Sequence, residues 1–327
     1  MSTITEYLEE LSGRSVTVIG MGISNVPLIK MLLRAGVKVT VRDKANREKV
    51  ADLAQELESL GATLVLGPDY LKDLGGELIF RTPGLSPNTP ELAQAVENGA
   101  ALSSEMEVFF QTCPSHLVAV TGSDGKTTTT TIISEFLKEA GKTVYVGGNI
   151  GKPLLPDVAD MDPEDYAVLE LSSFQLMTLQ ASPDIAVFTN LSPNHLDVHT
   201  SMEEYAQAKE NIFSHQGPGD LAIFNQENDL TRAMAERAPG RVMKFSCRSA
   251  LEEGTYVEHG MIYVAHNGQK RPLFSTERIL IPGQHNVENY LAAIAAVQGM
   301  VSDEVILHTA ETFPGVEHRI ELVRRRH

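Results

Sequence analysis

Short runs of aliphatic and β-branched residues alternate with stretches of helical periodicity along most of this chain. Residues 16–19, 37–41 and 64–66 are predicted strands, and residues 26–35 and 47–60, which lie between them, have the composition of helices. Strands that alternate with helices in this way are typical of a parallel sheet with helices on its faces. The N-terminal part of the chain is therefore predicted to be α/β.

A second series of the same kind follows after residue 115. It contains predicted strands at 117–120, 143–146, 167–171, 185–189 and 221–224. An Ala- and Leu-rich segment at 287–298 predicts a helix near the end of the series. We therefore expect a second parallel sheet in the same chain.

The stretch 239–280 is less regular. Its short apolar segments at 242–245, 256–257 and 261–264 are separated by the dipeptides His259-Gly260 and Asn267-Gly268. Such dipeptides favour tight hairpin turns. We predict a small antiparallel addition to the second sheet.

The strand–helix pattern is interrupted at 101–115, which divides the chain. We predict a first domain at 1–105 and a second at 106–314. Residues 315–327 then begin a further element, because residues 320–323 predict a strand with no partner in the remaining sequence. The chain is therefore expected to stop at a hinge into a third domain.

Composition excludes several classes of protein. The 327 residues carry a formal charge of −16, which disfavours nucleic acid and anionic membrane surfaces as partners. Two cysteines do not make a disulfide framework. No run reaches ~18 apolar residues, and the start lacks the basic and apolar segments of a signal peptide. We expect a cytoplasmic protein without a membrane span.

The most informative segment is 117–128, in which a predicted strand leads through a glycine turn into a predicted helix. Gly122 and Gly125 let backbone amides turn toward a phosphate chain, Lys126 can reach the β- and γ-phosphates, and the Thr127 hydroxyl can bind Mg²⁺. The usual pattern has a small residue at 120, where this chain has a valine, so Gly122 is expected to replace it. The segment predicts an ATP site.

A second glycine turn lies near the N-terminus. Gly20 and Gly22 match the first two glycines of a dinucleotide-binding turn, Asn25 stands where the third would fall, and Asp43 closes the next predicted strand. The incomplete match makes a dehydrogenase a weak alternative and favours a nucleotide-diphosphate site that does not bind NAD. The two turns together predict a Rossmann-like N-terminal domain followed by a P-loop-type parallel-sheet ATPase domain.

Three further residues could complete a metal site. Glu170 ends a predicted buried strand, and a carboxylate at the carboxyl edge of a sheet with a phosphate loop is well placed to hold Mg²⁺. His195 follows the next strand, although a single histidine is more often structural. Lys209 lies on a predicted helix, where a lysine is ordinarily solvated.

Seven collinear motifs resemble the Mur ligases, the ATP-dependent amide-forming enzymes of peptidoglycan precursor synthesis. They are Thr-Gly-Ser-Asp-Gly-Lys-Thr (121–127), Gly-Gly-Asn-Ile-Gly (147–151), Glu-Leu-Ser-Ser-Phe-Gln-Leu (170–176), Asn-His-Leu-Asp (194–197), Tyr-Ala-Gln-Ala-Lys (205–209), Pro-Gly-Gln-His-Asn (282–286) and His-Arg-Ile-Glu (318–321). The third motif and the Rossmann-like first domain are most similar to the branch that adds D-glutamate.

The resemblance implies a role for each matching residue. The ATP-binding residues would be Gly122, Ser123, Asp124, Gly125, Lys126, Thr127, Thr128, Asn286 and Arg319. Two Mg²⁺ ions would be held by Thr127, Glu170, His195 and Lys209, with Lys209 carbamylated. The UDP moiety would contact Ser24, Asp43, Thr82, Pro83 and Gly84, and the sugar and L-alanine would contact Asn149, Ser172 and Gln175. Lys126, Glu170, His195 and Lys209 would be the catalytic residues.

The implied reaction joins D-glutamate to UDP-N-acetylmuramoyl-L-alanine (UDP-MurNAc-L-Ala) through an acyl phosphate made from ATP. We expect a monomer whose partners are these small molecules. Family members continue into a third domain of about a hundred residues, so we expect this chain alone to have little ligase activity. A folylpolyglutamate synthetase-like ligase and a non-catalytic nucleotide-binding module are the alternatives, and the first lacks a domain like residues 1–105.

Overall fold

The structure is a computed structural model that describes residues 2–192 and 201–316. Its strands, in chain order, are β1 (Ser15–Ile19), β2 (Lys38–Asp43), β3 (Thr63–Leu66), β4 (Leu78–Phe80), β5 (Ala101–Ser103), β6 (His116–Thr121), β7 (Val144–Gly148), β8 (Tyr166–Glu170), β9 (Ile185–Phe188), β10 (Leu221–Asn225), β11 (Arg241–Ser246), β12 (Gly254–Glu258), β13 (Met261–His266) and β14 (Gln269–Ser275).

The α-helices, in the same order, are α1 (Ile4–Leu11), α2 (Asn25–Arg34), α3 (Ala51–Ser59), α4 (Pro90–Glu97), α5 (Glu105–Thr112), α6 (Lys126–Glu139), α7 (Ser173–Leu176), α8 (Met202–Ser214), α9 (Asp229–Ala235), α10 (Gln284–Ala296) and α11 (Asp303–Thr312). Short 3₁₀ helices lie at Arg47–Lys49, Leu155–Asp160 and Thr276–Arg278.

The chain forms two compact units that are interleaved in sequence. The first contains Met1–Pro114, Gly151–Asp162 and Ser173–Ala181. The second contains the described parts of Ser115–Ile150, Pro163–Ser172 and Ser182–His327. Each unit has its own sheet.

The first unit is built on a parallel sheet with the strand order β3-β2-β1-β4-β5. Every residue of β1 after Ser15 is buried, as expected for a strand covered on both faces. Strands β4 and β5 are only three residues long, and their apolar runs were too short to predict. Helix α5, which begins where Ser104 accepts a hydrogen bond from the Glu107 amide, fills most of the predicted interruption at 101–115.

The second unit has a nine-stranded sheet with the order β14-β13-β12-β11-β10-β9-β6-β8-β7. Strand β6 lies between β8 and β9. The chain runs from β6 to β7 and β8 on one side of it and then crosses to β9 and β10 on the other side. In open α/β sheets, ligands bind at the carboxyl ends of the strands at such a switch point. The topology therefore places the phosphate loop, which follows β6, where a ligand site is expected.

Helix α10 is the central helix of this unit. It packs against α6, β11 and β12, and residues 291–296 are almost completely buried. Four of these six residues are alanines, which let the helix approach its neighbours closely. The helix predicted at 287–298 is therefore present, shifted slightly toward the N-terminus.

The antiparallel addition is smaller than predicted. Strands β11 and β12 pair in parallel, and antiparallel pairing begins only between β12 and β13 and continues to β14. Both predicted turns are present, since His259 and Asn267 and the glycine after each have positive φ angles, as a two-residue hairpin requires. The predicted antiparallel addition is therefore present, and only the segment at 242–245 belongs to the parallel part of the sheet.

The mixed α/β class and the two parallel sheets are as predicted. Within the described residues, no helix is long and apolar enough to cross a membrane. The predicted strand at 320–323 lies outside the described residues.

Candidate active site

The phosphate loop joins β6 to α6 at the switch point of the second sheet. Strand β6 ends at Thr121, and α6 begins at Lys126, directly after Gly125 in the left-handed conformation. Backbone amides at the start of a helix bind anions. The strand–turn–helix context that the phosphate-loop motif requires is therefore present.

Gly122 and Gly125 cannot be exchanged for larger residues. Gly122 has a φ of 146°, and a Cβ there would lie 1.9 Å from Oγ1 of Thr189. A Cβ on Gly125 would lie 2.4 Å from Oδ1 of Asn289. Gly122 thus occupies a position at which only glycine fits, and Val120 is a buried residue of β6 rather than part of the loop.

The loop is fastened to the segment that follows β9. The amides of Ser123 and Asp124 donate to the backbone and side-chain oxygens of Asn190, each at 2.9 Å, and Thr189 Oγ1 donates to the Asp124 carbonyl at 2.6 Å. The Ser123 hydroxyl donates to the Ser192 carbonyl at 3.0 Å. These hydrogen bonds therefore fix the backbone of the loop at Ser123 and Asp124.

Two lysines meet at one carbonyl oxygen of this loop. Nζ of Lys126 donates to Gly122 O at 3.0 Å and to Ser123 O at 2.8 Å. Nζ of Lys209, from α8, donates to the same Gly122 oxygen at 3.0 Å and to Oγ1 of Thr121 at 3.1 Å. Two lysine amines thus converge on the predicted phosphate loop.

Lys209 is not the solvated lysine that its helix suggested. Its side chain is only 1% exposed. Burial, assisted by the charge of Lys126 and partly offset by Glu170, lowers the pKa of Lys209 to about 7. A substantial neutral fraction, and hence a nucleophilic amine, therefore exists near neutral pH.

Glu170 ends β8, as predicted, and is buried at the loop. Oε2 accepts a hydrogen bond from Oγ1 of Thr127 at 2.5 Å, and Oε1 accepts one from Nδ2 of Asn149 at 2.8 Å. The structure thus brings together a predicted phosphate-loop residue, a predicted metal ligand and a predicted substrate contact.

These oxygen donors suit Mg²⁺. A hydroxyl and a carboxylate are the hard ligands that this ion prefers, and Mg²⁺ usually takes its remaining ligands from phosphates and water. Between residues 2 and 192 and between 201 and 316, no group of three or more His, Cys, Asp or Glu side chains could hold a metal ion. His195, the predicted further ligand, lies outside the described residues.

Asn286 lies at the other end of the loop, at the start of α10. A cavity of about 140 Å³ is lined by Gly125, Thr128, Ile281, His285, Asn286, Asn289, Gly315 and Val316. Nδ2 of Asn289 donates to Oδ1 of Asn286 at 3.3 Å, so the two amides form one polar wall. Arg319, predicted to reach the phosphates, lies outside the described residues.

The glycine turn of the first unit carries a second candidate site. Both oxygens of Asp43 accept backbone hydrogen bonds at 2.7 Å, one from Met21 in the turn and one from Ala45. A cavity of about 330 Å³ is lined by Ile19, Gly20, Gly22, Asp43, Lys44, Tyr70, Thr82, Gly84 and Leu85. Asp43 therefore fixes the turn as well as facing the cavity.

The other predicted substrate residues divide between the two units. Ser24 immediately precedes α2, and it lines a small cavity of the first unit together with Pro83 and the buried Gln175 of α7. Ser172 and Asn149 belong to the second unit.

Sequence analysis missed several residues that shape these sites. Asn190 and Thr189 hold the phosphate loop, Asn289 extends the wall of Asn286, and Arg81 lies beside the turn at 82–84. Asn289 had a detectable signal, because a residue three positions after Asn286 shares its helix face. The others depend on contacts between segments distant in sequence.

Comparison with known proteins identifies the family. Residues 120–297 match the Mur ligase middle domain, and residues 14–104 match the Mur ligase MurD-like N-terminal domain. The chain belongs to the Mur ligase family. Its relatives include UDP-N-acetylmuramoylalanine--D-glutamate ligases of Ruminiclostridium cellulolyticum (48% identical) and Acetivibrio thermocellus (47%); each match covers 98% of this Mur ligase and 69% of the relative.

Solved structures of more distant proteins share the fold of this Mur ligase. The UDP-N-acetylmuramate:L-alanyl-gamma-D-glutamyl-meso-diaminopimelate ligase from Neisseria meningitides matches with a TM-score of 0.59 at 18% identity, over 93% of this chain and 99% of the other. UDP-N-acetylmuramate-alanine ligase from Thermotoga maritima matches with a TM-score of 0.53 at 22% identity, over 96% and 71%. The predicted family and fold class are confirmed.

Proposed function

We propose that this Mur ligase uses ATP to join D-glutamate to UDP-MurNAc-L-Ala in peptidoglycan precursor synthesis. The relatives that are 44–48% identical over nearly the whole chain carry the name of this activity. The observation in the structure that supports it most directly is the pair of hydrogen bonds from Thr127 and Asn149 to Glu170, which joins the phosphate loop to a predicted substrate contact.

The proposed reaction has two steps. A carboxylate oxygen of the L-alanine attacks the γ-phosphorus of ATP, an O–P bond forms, and ADP leaves with the electrons of the broken bond. The amine of D-glutamate then attacks the acyl carbon, phosphate leaves, and the amine loses a proton. Lys126 leaves its loop carbonyls for the phosphates and offsets the repulsion between carboxylate and triphosphate.

Mg²⁺ at this site would neutralise the charge that develops on the phosphate oxygens. Thr127 and Glu170 would hold one ion, and Glu170 also keeps Asn149 in place. We assign a second ion to His195 and to Lys209 as a carbamate. The neutral Lys209 amine would add to CO₂ with release of one proton, which converts a cation into an oxygen ligand.

We assign the UDP moiety to residues 1–105 and ATP to residues 106–314. Ser24, Asp43 and the turn at 82–84 would contact UDP, and Asn149, Ser172 and Gln175 would contact the sugar and the L-alanine. A cytoplasmic location and a monomeric state stay predictions from the sequence.

Calorimetric titration tests the proposal. UDP-MurNAc-L-Ala should bind saturably and more tightly than UDP-MurNAc, which lacks the L-alanine and therefore the alanine carboxylate that reacts. Glu170→Gln should leave this affinity nearly unchanged and weaken binding of Mg²⁺·ATP. In a protein that carries this chain, phosphate release should require D-glutamate and not L-glutamate. Binding of ATP without binding of either UDP-sugar would favour a folylpolyglutamate synthetase-like ligase or a non-catalytic module.

A further inference from the structure

Arg81 is a fully buried cation that the reaction described above does not use. It follows β4 directly, precedes the turn at 82–84, and is only 1% exposed. Among the described residues, no carboxylate forms an ion pair with it, and burial lowers the pKa of Arg81 to about 10. A buried charge without a counter-ion is costly unless its donors are satisfied by hydrogen bonds. Nε of Arg81 has no partner among the described residues, so the two terminal nitrogens carry all of its hydrogen bonds.

The guanidinium is bonded instead to two separate segments of the first unit. Nη1 donates to the carbonyl oxygens of Pro83 at 3.0 Å and Leu85 at 2.9 Å, with a longer contact of 3.3 Å to that of Thr82. Nη2 donates to the carbonyl oxygen of Phe174 at 2.7 Å and to Oγ1 of Thr178 at 3.2 Å. One rigid planar group therefore links a turn to a helix about ninety residues later in the chain.

Both linked segments carry predicted substrate contacts. The turn contains Thr82, Pro83 and Gly84, which are assigned to UDP, and α7 contains Gln175, which is assigned to the sugar and L-alanine end. Gln175, Pro83 and Arg81 line the same small cavity. Helix α7 has only four residues, too few for a helix that is stable without tertiary contacts.

We propose that Arg81 is a positioning residue that sets the distance between the UDP-binding turn and α7, and so fits the first unit to one elongated nucleotide–sugar substrate. The inference rests on the proposed function. Arg81 acts through backbone carbonyls and the Thr178 hydroxyl rather than on the substrate itself. A lysine would keep the charge but not the planar fork that reaches both segments.

The test compares the affinities of UDP and UDP-MurNAc-L-Ala by calorimetry in four variants. Arg81→Met removes both links, Arg81→Lys keeps the charge, and Thr178→Val removes one bond on the α7 side only. Leu57→Ala, a buried position in α3, is the matched control for a general loss of stability. All titrations are made at a temperature at which circular dichroism shows each variant to be folded.

We expect Arg81→Met to weaken UDP-MurNAc-L-Ala binding by about tenfold or more and UDP binding by less, with partial recovery in Arg81→Lys. Thr178→Val should weaken only the larger ligand, by about threefold. Leu57→Ala should change neither affinity.

Equal affinities in Arg81→Met and the parent, or equal losses in Leu57→Ala, would overturn the inference while leaving the proposed function in place. A parent that binds no UDP-MurNAc-L-Ala would instead overturn the proposed function, and this inference with it.

Discussion

Replacing Glu105 by glutamine should make the protein more stable at slightly alkaline pH. Glu105 lies in the first turn of α5 and is 6% exposed. Burial, only partly offset by a hydrogen bond from the Leu155 amide, raises the pKa of Glu105 to about 7 from an ordinary value of 4.5. The folded protein therefore holds this proton over a pH range in which the unfolded chain has released it.

The size of the effect follows from that difference. Because the pKa of Glu105 is higher in the folded state, its protonation contributes to the free energy of unfolding. This contribution is fully present below about pH 4.5 and is lost as the pH rises through about 7. The full loss is about 3 kcal/mol, and about 2.5 kcal/mol of it falls between about pH 5 and about pH 8. Glutamine has nearly the same shape and no charge, so the variant should escape the loss.

Urea unfolding followed by circular dichroism, with each transition fitted separately, measures this difference. Met106→Leu is the matched control, since it changes a neighbouring buried side chain but no titratable group, and its pH profile should run parallel to that of the parent. If the free-energy difference between Glu105→Gln and the parent stayed constant from about pH 5 to about pH 8, the assignment of a raised pKa to Glu105 would be wrong.

Three further variants and one control, Gly141→Ala, test the second unit. Gly122→Ala places a Cβ against Thr189, so it should lose about 3 kcal/mol of stability in urea unfolding and bind a fluorescent ATP analogue poorly. Gly141→Ala is the control, because Gly141 also has a positive φ but open space around it. It should lose only about 1 kcal/mol. The lowered pKa of Lys209 destabilises the folded parent in full below about pH 7, and this destabilisation disappears as the pH rises toward 10.5. Lys209→Met has no such group. In CO₂-free buffer and the same urea assay, the stability of the parent should therefore rise by about 2 kcal/mol relative to the variant between about pH 7 and about pH 9. Asn289→Ala should weaken ATP binding about tenfold in a nucleotide titration, and unchanged affinity would remove Asn289 from the site.

The parts of the candidate site that sequence reasoning located are those with a local signature. The phosphate loop was readable because strand, glycine turn and helix occur within twelve residues, and Glu170 was readable because it ends a continuous apolar run. In both cases the chemistry lies at the junction of two elements that the hydrophobic pattern itself defines.

The environment of Lys209 was not readable from its helix. Helix α8 carries polar residues around the position, and the burial of Lys209 comes from β6 and the loop after it, about ninety residues earlier. The contacts of Arg81 were hidden for the same reason. Burial of a single charged side chain is decided by tertiary packing, which periodicity does not encode.

Strand direction was the other limit. The residues of β11 and β12 were recognised as strands, but their parallel pairing was missed because the segment at 242–245 was included in the antiparallel addition. Where the turn chemistry itself was specific, at Asn267-Gly268, the predicted antiparallel pairing was found.

The interleaving of the two units has a consequence for how the protein is made. The 3₁₀ helix Leu155–Asp160 contacts α2 and α5, and its Leu155 and Val158 are buried in the first unit. At ordinary rates of translation, synthesis from residue 114 to residue 181 takes about 3 to 13 s. Early in that interval the nascent first unit lacks the 3₁₀ helix Leu155–Asp160, so the surfaces of α2 and α5 that this helix contacts are not yet covered. The phosphate loop is already being made at that time. Cotranslational folding should therefore complete the first unit only after Ala181 leaves the ribosome, and fragments that retain its stability should keep residues 1–181 together.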